Sequence, residues 1–308
     1  MSACPDIRMH PILVRTLLLV GGDLQIKQQL KKVLQPELWA VHHASDNGAA
    51  LRLAADKNFD LILTSEKTSG REDVELLRKL RRLRPHSRLI ILAEESTPSD
   101  VIASMREHAF SYFSKPFSSE TLAAMVLRAI EEPSWDDGID VISATPEWIR
   151  IYARCDLGTA DRVIQFFDEI AELPNPERHA VGAAFREMLT NAIEHGGRLN
   201  PNQQVEISYL RARHMVTCLI SDPGEGFTLD EIPHAAIANP ENDPIRHIEY
   251  REALGMRPGG FGVLLAQRLV DELVYNEQGN EVTLVKYLDL EPRVLQSTDA
   301  GAAGNKIA

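Results

Sequence analysis

Cysteine is scarce in this chain of 308 residues: Cys4, Cys155 and Cys218 are the only three. They stand far apart and odd in number, with no metal-ligand spacing and no disulfide framework. They therefore read as small hydrophobes in a reducing, cytoplasmic compartment. Long apolar runs are missing too. No stretch approaches the roughly 20 residues of a membrane span, and the start, MSACPDIRMHPILV, lacks a signal-peptide pattern. No internal repeat is visible. Positive charge is short, with 33 Lys+Arg against 45 Asp+Glu and a net charge of −12. The imbalance is uneven: residues 1–133 carry 18 basic and 17 acidic side chains, net +1, and the remainder 15 and 28, net −13. This argues against nucleic acid as a partner of the C-terminal half, and suits a basic protein partner or simple solubility. What is present is ordinary: 44% hydrophobic and 25% charged residues, enough for real cores, in a length that fits about two domains.

Residues 15–130 alternate strand and helix. RTLLLVG, WAVHHA, FDLILTS, RLIILAE and FSYFSKPF read as five strands. Leu76, Leu77, Leu80 and Leu83 make one helical stripe; Leu122, Met125, Val126, Ala129 and Ile130 make another. Such alternation predicts a doubly wound parallel sheet with helices on both faces. The Pro-, Gly- and charge-rich stretch 132–146 reads as a linker with room for a short strand but not for a helical hairpin. Beyond it, EWIRIYARC reads as a strand, followed by a helix at about 159–172 and a long helix containing FREMLTNAIEHGG. QVEISYLRAR and HMVTCLISD are joined too tightly for a parallel crossover and predict a hairpin. A helix, GVLLAQRLVDELVY, and a strand, NEVTLVKYL, close the domain. The fold class is α/β: a receiver-like five-stranded domain over 12–131, then a two-layer α/β sandwich with a mixed or antiparallel sheet over 147–290. Residues 291–308 read as a disordered tail.

The long helix raises a question. Phe185, Met188, Leu189, Ala192 and Ile193 give it an apolar face, yet Glu187, Asn191 and His195 form a polar row at spacing four beside it. Two glycine clusters follow. In SDPGEGF, Asp222, Gly224 and Gly226 end a strand; the glycines permit positive φ and close backbone approach. In RPGGFGVLLAQRL, Gly259, Gly260 and Gly262 precede a helix, where exposed N–H groups and the positive dipole end suit phosphate.

Taken in that order, the three elements resemble the N, G1 and G2 boxes of the GHKL ATPase superfamily, and within it the bacterial anti-sigma-factor serine/threonine kinases of partner-switching systems. The resemblance implies ATP and Mg²⁺ as cofactors. Asn191 is then the Mg²⁺ ligand beside the phosphates and Glu187 the base for an attacking hydroxyl. Asp222 binds the adenine amino group, Gly224 and Gly226 line the base, and Gly259, Gly260 and Gly262 cover the phosphates. His195 is left to packing or the pocket rim. The polar insert 227–258 reads as a lid, with Arg257 beside the glycine loop. The implied partner is a protein, either an anti-sigma-antagonist-like substrate or a sigma factor. The alternative is a non-catalytic, ATP-responsive binding regulator; the retained Glu187 favours the kinase.

The N-terminal part resembles a two-component receiver domain, with departures. DLILTSEKTSG matches the strand and loop of the phosphoacceptor, and SKPF the Lys-Pro element with Lys115. The acidic pair is replaced by Gly21 and Gly22, the acceptor position is Ser65, and Leu92 stands where a Thr or Ser is usual. These changes imply a silent receiver, used for interaction or as a homodimer interface.

Overall fold

A computed structural model describes residues 14–21, 26–28, 30, 34, 38–64, 70–131, 138–228, 233–240, 242–256 and 259–288. Five strands, β1 (Arg15–Val20), β2 (Trp39–Ala44), β3 (Leu61–Leu63), β4 (Arg88–Ala93) and β5 (Ser111–Ser114), form a parallel sheet of order β2-β1-β3-β4-β5. Strand alternation sends Leu17, Leu19, Leu61, Leu63, Ile90 and Leu92 to one face and Leu18, Val20, Ile62, Leu89 and Ile91 to the other. Both faces are covered, so the strands read as continuous apolar runs. Beyond the helical residues 26–28 and 30, the described helices are α1 (Asn47–Asp56), α2 (Gly70–Leu83), α3 (Pro98–Arg106) and α4 (Ser119–Glu131). Asp46 caps α1 through the Ala49 N–H, and Thr97 with Asp100 forms a capping box on α3.

The second sheet has six strands, in the order β10-β11-β9-β8-β7-β6, every pair antiparallel. They are β6 (Ile139–Ala144), β7 (Trp148–Arg154), β8 (Gln204–Ala212), β9 (Met215–Ser221), β10 (Glu272–Tyr275) and β11 (Glu281–Tyr287). Their inward residues, among them Ile151, Ile207, Cys218 and Leu284, are buried. They lie under α5 (Leu157–Ile170), α6 (Asn175–Asn191) and α8 (Gly262–Leu269); α7 (Arg246–Ala253) lies in the lid.

The short strand for which the stretch 132–146 has room is β6, and the second sheet begins there. Two expectations are corrected. The helix expected over 262–275 stops at Leu269; Glu272–Tyr275 leaves it to pair with β11, where cross-strand bonding and β-branched Val274 favour strand. The polar row is also broken. After Asn191 the helix widens into a π-helical turn, Ala192–Gly196, closed by Gly197 N–H to the Ala192 carbonyl at 2.7 Å. The wider turn rotates His195 away from Glu187 and Asn191. The tail after 288 lies outside the described residues.

The two domains share a helix. β5 is an edge strand, and α5 lies along it and occupies its backbone groups. Arg162 donates to the Phe110 carbonyl at 2.7 Å and stacks over the Phe110 ring; Gln165 donates to the Tyr112 carbonyl at 3.0 Å; Glu169 accepts from the Ser114 N–H at 3.1 Å and from its hydroxyl. These residues sit at i, i+3 and i+7 of one helical face. Arg128–Asp161 at 2.5 Å and Arg106 to the Ala144 carbonyl at 2.9 Å complete the seam. One apolar cluster runs from the first sheet through Met105 and Phe166 into the second. No helix among the described residues is long and apolar enough to cross a membrane.

Candidate functional site

Helix α6 buries Phe185, Met188 and Leu189, and Phe185 stacks on Phe167 of α5 at 4.3 Å. That packing leaves Glu187 and Asn191 on the half-buried margin, turned toward the start of α8. A Cβ added at Gly262 would stand 2.5 Å from Glu187 Oε2 and 3.7 Å from Asn191 Nδ2. Glycine at 262 therefore lets the glycine loop close on the polar pair. Phe261, which precedes α8, makes no side-chain cap, leaving the first N–H groups of the helix without a side-chain acceptor.

At the other end, Asp222 leaves β9 with its backbone N–H on the Asn280 carbonyl at 2.9 Å, and its Oδ1 accepts from the Gly224 N–H at 2.8 Å. Burial pushes the Asp222 carboxyl above the usual carboxylate range, and the Gly224 N–H pulls it back. Gly196, at the end of the π turn, lies directly against this carboxylate: a Cβ there would fall 2.1 Å from Asp222 Cγ. The π turn thus links Asp222 to the helix that carries Glu187 and Asn191. Gly226 has φ +82, and its Cβ would strike the Gln278 carbonyl at 1.9 Å, so only glycine fits.

Gly259 and Gly260 also have positive φ, +149 and +90. Gly260 is ringed by lid groups: a Cβ there would meet the His234 carbonyl at 2.6 Å, His247 Cδ2 at 3.2 Å and an Arg251 nitrogen at 3.3 Å. Sequence reasoning missed Gly196 and these three lid residues. The only signal for Gly196 was its place beside His195; the lid histidines carried none. His195 itself is exposed and acts electrostatically on His234. Arg257 lies outside the described residues.

In the first domain, Gly21 takes φ +81 and donates to the Ala44 carbonyl at 2.8 Å. Leu92 is fully buried and Lys115 is exposed just after β5. Gly22 and Ser65 lie outside the described residues.

Residues 17–127 match the response regulator receiver domain, and residues 153–286 match the histidine kinase-like ATPase domain. The chain joins a receiver domain to a GHKL-type ATPase domain. Its ATPase part is 28% identical over 148 residues to the serine-protein kinase RsbW of Oceanobacillus iheyensis, covering 48% of this chain and 84% of that protein. It is 26% identical over 151 residues to RsbW of Bacillus subtilis, covering 49% and 84%. Among solved structures, a CheY-like receiver domain protein from Methanospirillum hungatei shares 25% identity over 38% of this chain and 94% of that one, with a TM-score of 0.34. The ATPase domain implies ATP binding, and the likeness to serine-protein kinases suggests a kinase-like regulator.

Proposed function

We propose that the C-terminal domain binds ATP with Mg²⁺, transfers its terminal phosphoryl group to a hydroxyl of a separate protein, and binds a protein partner that is an anti-sigma-antagonist-like substrate or a sigma factor. The observation that carries this reading is the approach of Gly262 to Glu187 and Asn191, which sets an uncapped helix N-terminus beside a carboxylate and an amide. Phosphate oxygens suit the N–H groups of α8, and the Asn191 side-chain oxygen suits Mg²⁺. Asp222 offers the carboxylate for an adenine amino group, and Gly224 and Gly226 let the base lie against backbone. When bound, Mg²⁺ would supply neutralising charge for the phosphates. Glu187 takes the proton from the attacking hydroxyl. A base has no use in a purely ATP-responsive binding regulator, so its retention favours transfer over that second reading.

Calorimetry on the full chain tests it. ATP should bind in a Mg²⁺-dependent way, and Asp222→Asn or Asn191→Ala should each weaken binding by about 10- to 100-fold, the worth of one hydrogen bond to a charged group. Absence of any ATP or ADP binding would remove the proposal.

The receiver-like domain, in this reading, accepts no phosphoryl group and serves as an interaction or dimerisation module. An aspartyl phosphate needs a carboxylate nucleophile and a metal site, and Ser65, Gly21 and Gly22 supply neither. Acetyl phosphate should leave the intact mass unchanged, for the wild-type chain and for Ser65→Asp alike. A phosphoryl increment on wild-type Ser65 would overturn the silent-receiver reading.

A further inference from the structure

The lid helix α7 is held by very little. Of its eight residues only His247 is buried. The side chain of Asn239 clasps it: Asn239 Oδ1 accepts the His247 backbone N–H at 2.8 Å, Asn239 Nδ2 donates to the Pro244 carbonyl at 2.7 Å, and Nδ2 lies 2.6 Å from His247 Nδ1. Those bonds fix the tautomer. With Oδ1 engaged by the backbone, the amide group facing the ring is the NH₂ donor, so Nδ1 is the acceptor and the ring proton resides on Nε2. Nε2 is buried with no hydrogen-bond partner among the described residues. The ring meets Phe261 edge-on at 4.5 Å and borders Gly260. Phe261 adjoins Gly262, which closes on Glu187 and Asn191. One imidazole therefore fastens the lid helix to the loop proposed to cover the phosphates.

We propose that His247 is the positioning residue that holds the lid on the glycine loop, and that it does so only as the neutral ring. This rests on the ATP-binding reading above. A second ring proton on Nδ1 would set two donors, Nδ1–H and the Asn239 NH₂, against each other and bury a cation. Among the described residues, the charged or titratable groups around the ring are Arg251, one turn on along α7, and His234, whose carbonyl accepts from Arg251 at 3.4 Å. The described part of the glycine loop contributes Gly259, Gly260 and Phe261, none of which titrates, and Asn239 contributes its amide. Burial and Arg251 hold the His247 pKa below its ordinary value; burial, Arg251 and His195 do the same to His234. The sign follows: the open lid binds the proton more readily, so closure is favoured above the ordinary histidine pKa and is lost as pH falls through it toward the lowered one.

Nucleotide affinity of the full chain, measured by calorimetry at about pH 8 and about pH 5.5, tests this in wild type, His247→Gln and His234→Gln. With an ordinary pKa of about 6.5, excluding the proton from the closed lid weakens wild-type binding by about tenfold between the two pH values, beyond any change intrinsic to the nucleotide. The nucleotide's own protonation is common to all three chains and cancels in the comparison. His247→Gln should bind more weakly than wild type at about pH 8 and lose that tenfold component; His234→Gln should keep it. The same pH response in wild type and His247→Gln, or its disappearance in His234→Gln alone, overturns the inference. If no nucleotide binds the wild type at either pH, the ATP reading fails, and ¹⁵N NMR of the histidine rings in the nucleotide-free chain decides the clasp by itself. A neutral ring at about pH 8 with its proton on Nε2 sustains it; the other tautomer ends it.

Discussion

Glu187→Ala should leave Mg–ATP bound and slow phosphoryl transfer to a verified protein substrate by about 10²- to 10⁴-fold, the usual worth of a positioned general base. The expectation comes from where the side chain lies. Glu187 projects from a helix whose opposite face is locked by Phe185, Met188 and Leu189, so truncation at 187 removes a carboxylate from a half-buried margin without opening the core. Its Oε2 is the closest group to the Cβ position of Gly262, so the alanine variant also gives the glycine loop more room. Affinity should hold while turnover falls. Single-turnover transfer with nucleotide in excess, alongside calorimetry, separates the two. Equal rates for variant and wild type would strip Glu187 of the role and leave the fold untouched.

Gly196→Ala should cost nucleotide affinity by about 10- to 100-fold or more, although nothing in the sequence pattern marks residue 196. The new methyl group would occupy the space of the Asp222 carboxyl, 2.1 Å from Cγ and 2.2 Å from Oδ1. One of them must move. Displacing the carboxylate forfeits a hydrogen bond to a charged group, about 1.5–3 kcal/mol, and the crowding adds about 1–3 kcal/mol of strain to the end of α6. Gly182→Ala, on the same helix, is the control. Its Cβ would meet only Asp168 Oδ1, at 3.1 Å. Calorimetry of both variants checks the contrast, with thermal melts to register the strain. Indistinguishable affinities would show that Asp222 is not held where the nucleotide needs it.

Much of this was legible because local chemistry and global packing agree. WAVHHA forms β2 over Trp39–Ala44, and the tight QVEISYLRAR–HMVTCLISD pair forms the β8–β9 hairpin, because alternating burial and a short connection leave few alternatives. Helical spacing puts Glu187 and Asn191 on one margin, while their meeting with Gly262 is implied only by the resemblance to the N and G2 boxes. The losses have physical reasons. RHIEYREA carries no apolar stripe, since α7 buries one histidine and exposes nearly everything else, so periodicity had nothing to find. ELVY continues a helical pattern until β11 supplies strand partners, from Val282 to Val285, information held further along the chain. The π turn at Ala192–Gly196 keeps the i, i+4 lettering of an ordinary helix while changing the rotation, so His195 looked aligned with residues it does not join.

The helix laid along β5 governs how this chain can be divided. Any cut between the two modules separates α5 from the strand it completes. A fragment beginning at 138 would keep Arg162, Gln165 and Glu169 after removing the carbonyls, N–H and hydroxyl they bind. It would also expose apolar surface that Met105 and its neighbours cover. The complementary fragment would be left with β5 as a bare edge, a template for pairing with foreign strands. Chimeras that exchange the receiver-like module for another must therefore bring a β5 whose backbone groups meet these same three side chains. A recombined gene that ignores that match would give a protein whose halves fold against each other poorly, whatever the quality of either half alone.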